Sequence, residues 1–247
     1  LIKEMAKETT DMVIKSVDAF VQKDMDMAHW VIKEDDVVDD LFNQFKQQLI
    51  KKINENVKNG EQATDMLMVA KYFERIGDHA SYIAHMSNEM HDNHTDFSPA
   101  AWNELNIVME AVREEINITC NAFLNDDKEA AQRVAPLGVV ITHLCDELKM
   151  HHVERLSNGN CGLEEGTVFN DILNSFGRIA SHCASAMVAL MKSGEQDPDM
   201  HIRDSKIYPT DSFEYYTYFS EYKKKYDITD KSEEHVPVSY THLRCRR

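Results

Sequence analysis

Apolar residues recur at helical spacing through most of the chain. From Leu1 to Gln22 the stripe is Met5, Met12, Val13, Val17, Phe20 and Val21, which predicts an amphipathic helix with one face toward a core. Asp24 and Asp26 follow as turn and capping residues. A second helix is predicted from about Met25 to Val57, on Trp30, Val31, Val38, Leu41, Phe42, Phe45, Leu49 and Ile53. Asn59-Gly60 is expected to end it, with Gly60 as a left-handed cap. A third helix, about Gln62 to Met90, carries Leu67, Val69, Ala70, Phe73, Ile76, Ala80 and Ile83. Three long helices joined by tight turns make an antiparallel bundle.

The polar stretch from His91 to Pro99 reads as a linker, and Ser98-Pro99 supplies an N-cap followed by proline at the first helical position. Three more helices are then predicted, at about Ala100 to Leu124, Lys128 to Leu156 and Glu164 to Lys192. The second set repeats the first. Ala19-Phe20, Asp24 and Ala28 stand 103 residues before Ala122-Phe123, Asp127 and Ala131, and Phe73, Arg75, Ile76 and His79 stand 103 residues before Phe176, Arg178, Ile179 and His182. Landmarks so far apart keep one register only in a tandem duplication. The predicted class is therefore all-α, two three-helix repeats at 1–92 and 98–193. A loop with a short tyrosine-rich helix follows at 194–235. The tail 236–247 loses the acidic bias and ends Arg-Cys-Arg-Arg, which reads as an appended, non-native sequence.

Composition narrows the functional classes. The 247 residues hold 43 Asp plus Glu against 27 Lys plus Arg, a formal charge of −16. Nucleic-acid binding draws on basic surface, so a nucleic-acid partner is not expected. Eight glycines and five prolines are few enough for long unbroken helices. No apolar run reaches the roughly 20 residues of a membrane helix. Five scattered cysteines without a Cys-x-x-Cys pair fit a reducing compartment. Leu1 stands where a helix is already under way, which leads us to expect an upstream segment.

The residues that could carry chemistry are acidic. Asp35 and Asp39 on the second helix, and Glu74 and Asp78 on the third, are each spaced i, i+4 and so share a face. Like charges at that spacing repel, and a bound cation reverses the sign. If the two helices face each other, four carboxylates converge on a site for an oxygen-preferring divalent or ferric ion. Gly77, inside the same helix, hints at a close neighbour. The competing reading is a solvated acidic face. His85, His91 and His94 read as a fraying polar helix end, and His79 and His182 as packing residues common to both repeats. No cysteine has a histidine beside it in a nucleophile motif, and neither a phosphate-cradling glycine loop nor an HExxH is present.

At Lys71-Tyr72-Phe73-Glu74-Arg75-Ile76-Gly77-Asp78-His79-Ala80 the chain resembles the PhoU family of phosphate-uptake regulators, built from two three-helix repeats with E(D)xxxD metal motifs. His152-Val153-Glu154-Arg155-Leu156, Gly159, Cys161 and the stretch Phe176 to Cys183 look more like the PhoU-type region at the C-terminal end of bacterial sodium/phosphate cotransporter proteins. The resemblance implies a cytoplasmic regulatory domain rather than an enzyme, with iron or zinc on Asp35, Asp39, Glu74 and Asp78. Its partner would be a transporter membrane domain upstream in the same chain; a homo-oligomer stays open. The alternatives are a stand-alone PhoU-type negative regulator of the phosphate ABC transporter and its sensor kinase, and a carboxylate-bridged metalloenzyme, for which only His79 is at hand. Shifted by 103, the four carboxylates become Gly138, Thr142, Gly177 and Ser181, so any metal is expected in the first repeat alone.

Overall fold

The computed structural model describes residues 1–192 and 212–228. Seven α-helices are found there: α1 (Ile2–Gln22), α2 (Met25–Glu55), α3 (Gly60–Asp92), α4 (Pro99–Asn125), α5 (Lys128–Ser157), α6 (Leu163–Lys192) and α7 (Phe213–Lys225). No strand occurs among the described residues. The fold is all-α, a duplicated three-helix bundle with a short C-terminal helix. The loop expected before α7 and the tail 236–247 lie outside the described residues.

The two repeats turn their first corner with the same device. Lys23 closes α1 in the left-handed region at φ 54°, and the Asp24 side chain then accepts from Met27 N at 3.0 Å to start α2. In the second repeat Asp126 closes α4 at φ 53°, and Asp127 accepts from Ala130 N at 3.0 Å to start α5. Each aspartate satisfies an amide that has no partner within its helix. Ser98 caps α4 ahead of Pro99, accepting from Ala101 N, as the sequence suggests.

One corner differs from expectation. Gly60 is not a left-handed cap; its φ is −61° and it begins α3. Asn56 makes the break by going extended, at φ −154°, and its side chain accepts from Lys58 N at 3.0 Å at the head of a short 3-10 turn, Val57–Asn59. The asparagine oxygen meets the orphan amide, so no glycine is required there. Gly159, by contrast, does take positive φ, at 69°, in the turn between α5 and α6.

The two repeats share one continuous core. Phe73 of the first packs edge-on against Phe123 of the second, with ring centroids 5.2 Å apart. Phe97, just ahead of α4, sits on Phe20 and on Phe169 at 5.9 and 5.4 Å. Helices α3 and α6 run together along the seam, where His79 and His182 stack at 5.8 Å and Tyr72 stacks on His182 at 6.1 Å. Lys23–Asp96 and Arg113–Asp18 pair charges across linker and halves. Helix α7 lies on α5, burying Tyr222 and Tyr226, while Lys225 and the Tyr226 hydroxyl both donate to Glu114 of α4. No described helix is long and apolar enough to cross a membrane.

Candidate metal centre

Helices α2 and α3 pack side by side, and their apolar stripes fix which faces meet. Val38 and Leu41 of α2 and Phe73, Ile76 and Ala80 of α3 are buried. The i, i+4 acids flanking these positions are therefore carried to the rim of the same groove. Asp39, Glu74 and Asp78 each offer an oxygen there, all within 4.8 Å of one another, and this is the trio among the described residues that could jointly hold a metal ion.

Asp35 does not join that trio, so three carboxylates converge rather than four. One turn before Asp39, it faces the next step of α3. Its Oδ1 lies 3.6 Å from where a Cβ on Gly77 would stand, and its carboxyl takes a hydrogen bond from Ser81. Gly77 itself is not demanded by sterics: an added Cβ would make ordinary contacts, the nearest 3.5 Å from Val38 Cγ1.

Electrostatics show both strain and its partial relief. Burial, then the neighbouring Asp78, pushes the Asp35 carboxyl up to about 6. The same two causes raise Asp39, which Lys71 opposes. Lys71 donates to Glu74 Oε1, and Arg75 Nη1 donates to Asp78 Oδ2 at 3.2 Å. These two cations lie on α3 with the acids they serve, and a purely structural ion-pair network would look like this too. Glu74 Oε2, however, is buried and has no hydrogen-bond partner; Arg75 Nε stands 3.8 Å away, in ion-pair range but too far to donate. A buried carboxylate oxygen without a donor is costly, and a cation is the group that answers it. The all-oxygen donor set suits a hard ion, so the residues present fit a metal.

The second repeat has nothing comparable at the matching positions. Thr142 turns its hydroxyl back to Gly138 O at 2.9 Å, and no Cβ at Gly177 would meet a neighbour within 4 Å. A carboxyl has instead moved indoors. Glu115 of α4 is 0% exposed, with neither oxygen hydrogen-bonded, and burial holds its pKa well above the usual carboxylate range. A Cβ on Gly138 would stand 2.8 Å from Glu115 Oε1, so the glycine at the place of Asp35 makes room for this acid. The sequence did carry a signal: Glu115 falls on the buried stripe Val108, Val112, Thr119, and its partner 103 residues earlier is Met12.

Other candidates resolve more simply. His79 and His182 pack on each other, as expected. His85, His91 and His94 are exposed. Sequence reasoning missed one pairing: Cys161 Sγ lies 3.6 Å from His152 Nδ1, brought together across the turn after α5.

Residues 2–86 match the family model of the PhoU domain. The phosphate-specific transport system accessory protein PhoU homolog of Clostridium acetobutylicum is 35% identical over 86 residues, covering 34% of this chain and 39% of that protein. The homolog of Aquifex aeolicus is 37% identical over 74 residues, covering 30% and 34%. The chain thus matches between a third and two fifths of the length of these curated relatives. Among solved structures, PhoU from Pseudomonas aeruginosa superposes with a TM-score of 0.72 at 17% identity, over 78% of this chain and 93% of that one. The phosphate transport system regulatory protein PhoU from Streptococcus pneumoniae gives 0.70 at 15%, over 79% and 92%. At such identities the structural likeness speaks for the fold.

Proposed function

We propose that this chain is a PhoU-type regulator of phosphate transport that acts on a separate transport system, and that Asp39, Glu74 and Asp78 hold a regulatory metal ion with Asp35 beside them. The observation carrying the metal reading is the convergence of three carboxylates within 4.8 Å around a buried Glu74 oxygen that lacks a donor. The regulatory reading rests on the first-repeat similarity to accessory proteins of phosphate-specific transport. Those relatives are named as accessory proteins and not as cotransporters, which favours a separate partner over a membrane domain in the same chain. The second-half likeness to the cotransporter-linked region is what supports that other reading.

A metal bound here would supply charge neutralisation that ties α2 to α3. The chain's own residues do the rest: Lys71 and Arg75 hold Glu74 and Asp78 in place, and the Ser81 hydroxyl steadies Asp35. The absence of a histidine among the trio fits a regulatory site better than carboxylate-bridged catalysis. The test is a phosphate-starvation reporter in a bacterium lacking its own accessory regulator. Expression of this chain should restore repression, and Glu74→Gln with Asp78→Asn should weaken it. A reporter that ignores the wild-type chain would remove the regulatory reading.

A further inference from the structure

The end of α5, the start of α6 and the segment leading into α4 line a cavity of about 300 Å³, with His152, Arg155, Cys161, Glu165 and Asp96 among its walls. His152 is only 5% exposed. Gly166, in the first turns of α6, approaches so closely that a Cβ on it would lie 2.4 Å from His152 Nε2 and 2.6 Å from Cε1. Glycine inside a helix costs roughly 1 kcal/mol relative to alanine, and here the missing methyl is the space the imidazole occupies. Phe169 packs against the ring at 5.5 Å. Held on both sides, the ring presents Nδ1 to Cys161 Sγ at 3.6 Å.

Cys161 is half-buried, whereas Cys120, Cys145 and Cys183 are buried. Burial, then the charge of Arg155, lowers the His152 pKa, so the imidazole is neutral near pH 7 and has a nitrogen lone pair for a proton. Arg155 gives Nη1 to Glu104 at 2.7 Å, and its Nη2 is buried with no hydrogen-bond partner among the described residues. A thiol and a neutral acceptor thus meet on the wall of one cavity, while Arg155 is committed to Glu104 and its remaining donor is closed off from solvent.

We propose that Cys161 and His152 form a thiol-exchange site for a small disulfide, the oxidised form of a low-molecular-weight thiol. His152 Nδ1 takes the Cys161 proton, and the sulfur attacks one sulfur of the small disulfide. A new S–S bond forms as the old one breaks. The leaving thiolate takes the proton from His152 and departs as a thiol. Cys161 is oxidised to the mixed disulfide and one half of the small disulfide is reduced.

The test treats the full native chain near pH 7 with oxidised glutathione, quenches in acid and maps adducts by peptide mass spectrometry, so that each cysteine is followed separately. Native Cys161 should react at least about tenfold faster than Cys161 in the urea-unfolded chain, because general-base assistance is worth about a hundredfold or more. Cys120, Cys145 and Cys183 should react more slowly folded than unfolded. His152→Gln, with folding verified by its thermal transition, should lower the Cys161 rate by about tenfold or more. A native Cys161 no faster than the unfolded one overturns the proposal, and that comparison stands even where His152→Gln fails to fold. An unchanged rate in a folded His152→Gln variant overturns it as well.

Discussion

Replacing Glu115 with methionine should stabilise the protein, and by more at neutral than at acid pH. The residue is 0% exposed and neither oxygen has a hydrogen-bond partner. Even protonated, such a group forfeits roughly 1–3 kcal/mol. Methionine has similar volume, fills irregular space, and already stands at the matching position as Met12; a swap of this kind usually costs under about 1.5 kcal/mol in packing. The pH dependence follows from the raised folded-state pKa. Above the ordinary carboxylate range the unfolded chain loses this proton while the folded chain keeps it. Stability is then fully present below the unfolded pKa and declines as pH rises toward the folded one, with a limiting slope of about 1.4 kcal/mol per pH unit. From pH 5 to 7 the variant should therefore gain on the wild type by up to about 3 kcal/mol. Urea unfolding followed by circular dichroism at pH 5, 6, 7 and 8 measures it, and the contribution of Asp35, present in both proteins, cancels in the difference. Glu115→Gln separates the two effects, since it removes the slope and keeps the unmet hydrogen bonds. A methionine variant that is less stable at pH 7, or a gap that does not grow with pH, would refute the reasoning.

The acidic trio gives further expectations. Mn²⁺ titration calorimetry should show binding that Glu74→Gln with Asp78→Asn abolishes, and a hundredfold excess over Kd should add about 2.7 kcal/mol to wild-type stability alone. Lys71→Met removes one ion pair of Glu74 and leaves that with Arg75, and should tighten cation binding; a structural network predicts lower stability with no gain in affinity. With Asp35 pushed up to about 6, cation binding should release more protons at pH 5.5 than at pH 7.5, seen by repeating the calorimetry in buffers of different ionisation enthalpy. The same shift makes Asp35 favour folding below its ordinary range, a contribution lost as pH rises through about 6. Gly166→Ala places a Cβ 2.4 Å from His152 Nε2 and should cost about 1–3 kcal/mol in thermal or urea unfolding; wild-type stability in that variant would show the ring to be loosely held.

The helices were legible because period and caps agree: the stripes ending near Gln22, the Asp24 and Asp127 caps and Ser98-Pro99 all stand where the sequence places them. Gly60 misled because a glycine marks only conformational permission, and Asn56 met the same need with a side-chain oxygen. The duplication showed which carboxylates vanish from the second repeat, since identity at a fixed register is one-dimensional information. It did not separate Asp35 from the trio, because which carboxylates converge depends on how α2 sits across α3 and not on spacing along either helix. Nor did it disclose Cys161 beside His152: the residues between them include a turn, where no period applies.

The stack of His79 on His182 has a further meaning. The two are the same residue of the two repeats, 103 positions apart, and they touch each other. Self-contact between equivalent positions is the signature of a two-fold axis, so the seam along α3 and α6 has the form of a homodimer interface enclosed in one polypeptide. Joined in one chain, the halves can differ without losing each other, one holding its acids at the rim and the other carrying one inside. Cleavage between Asp92 and Pro99 should then leave two fragments that elute together.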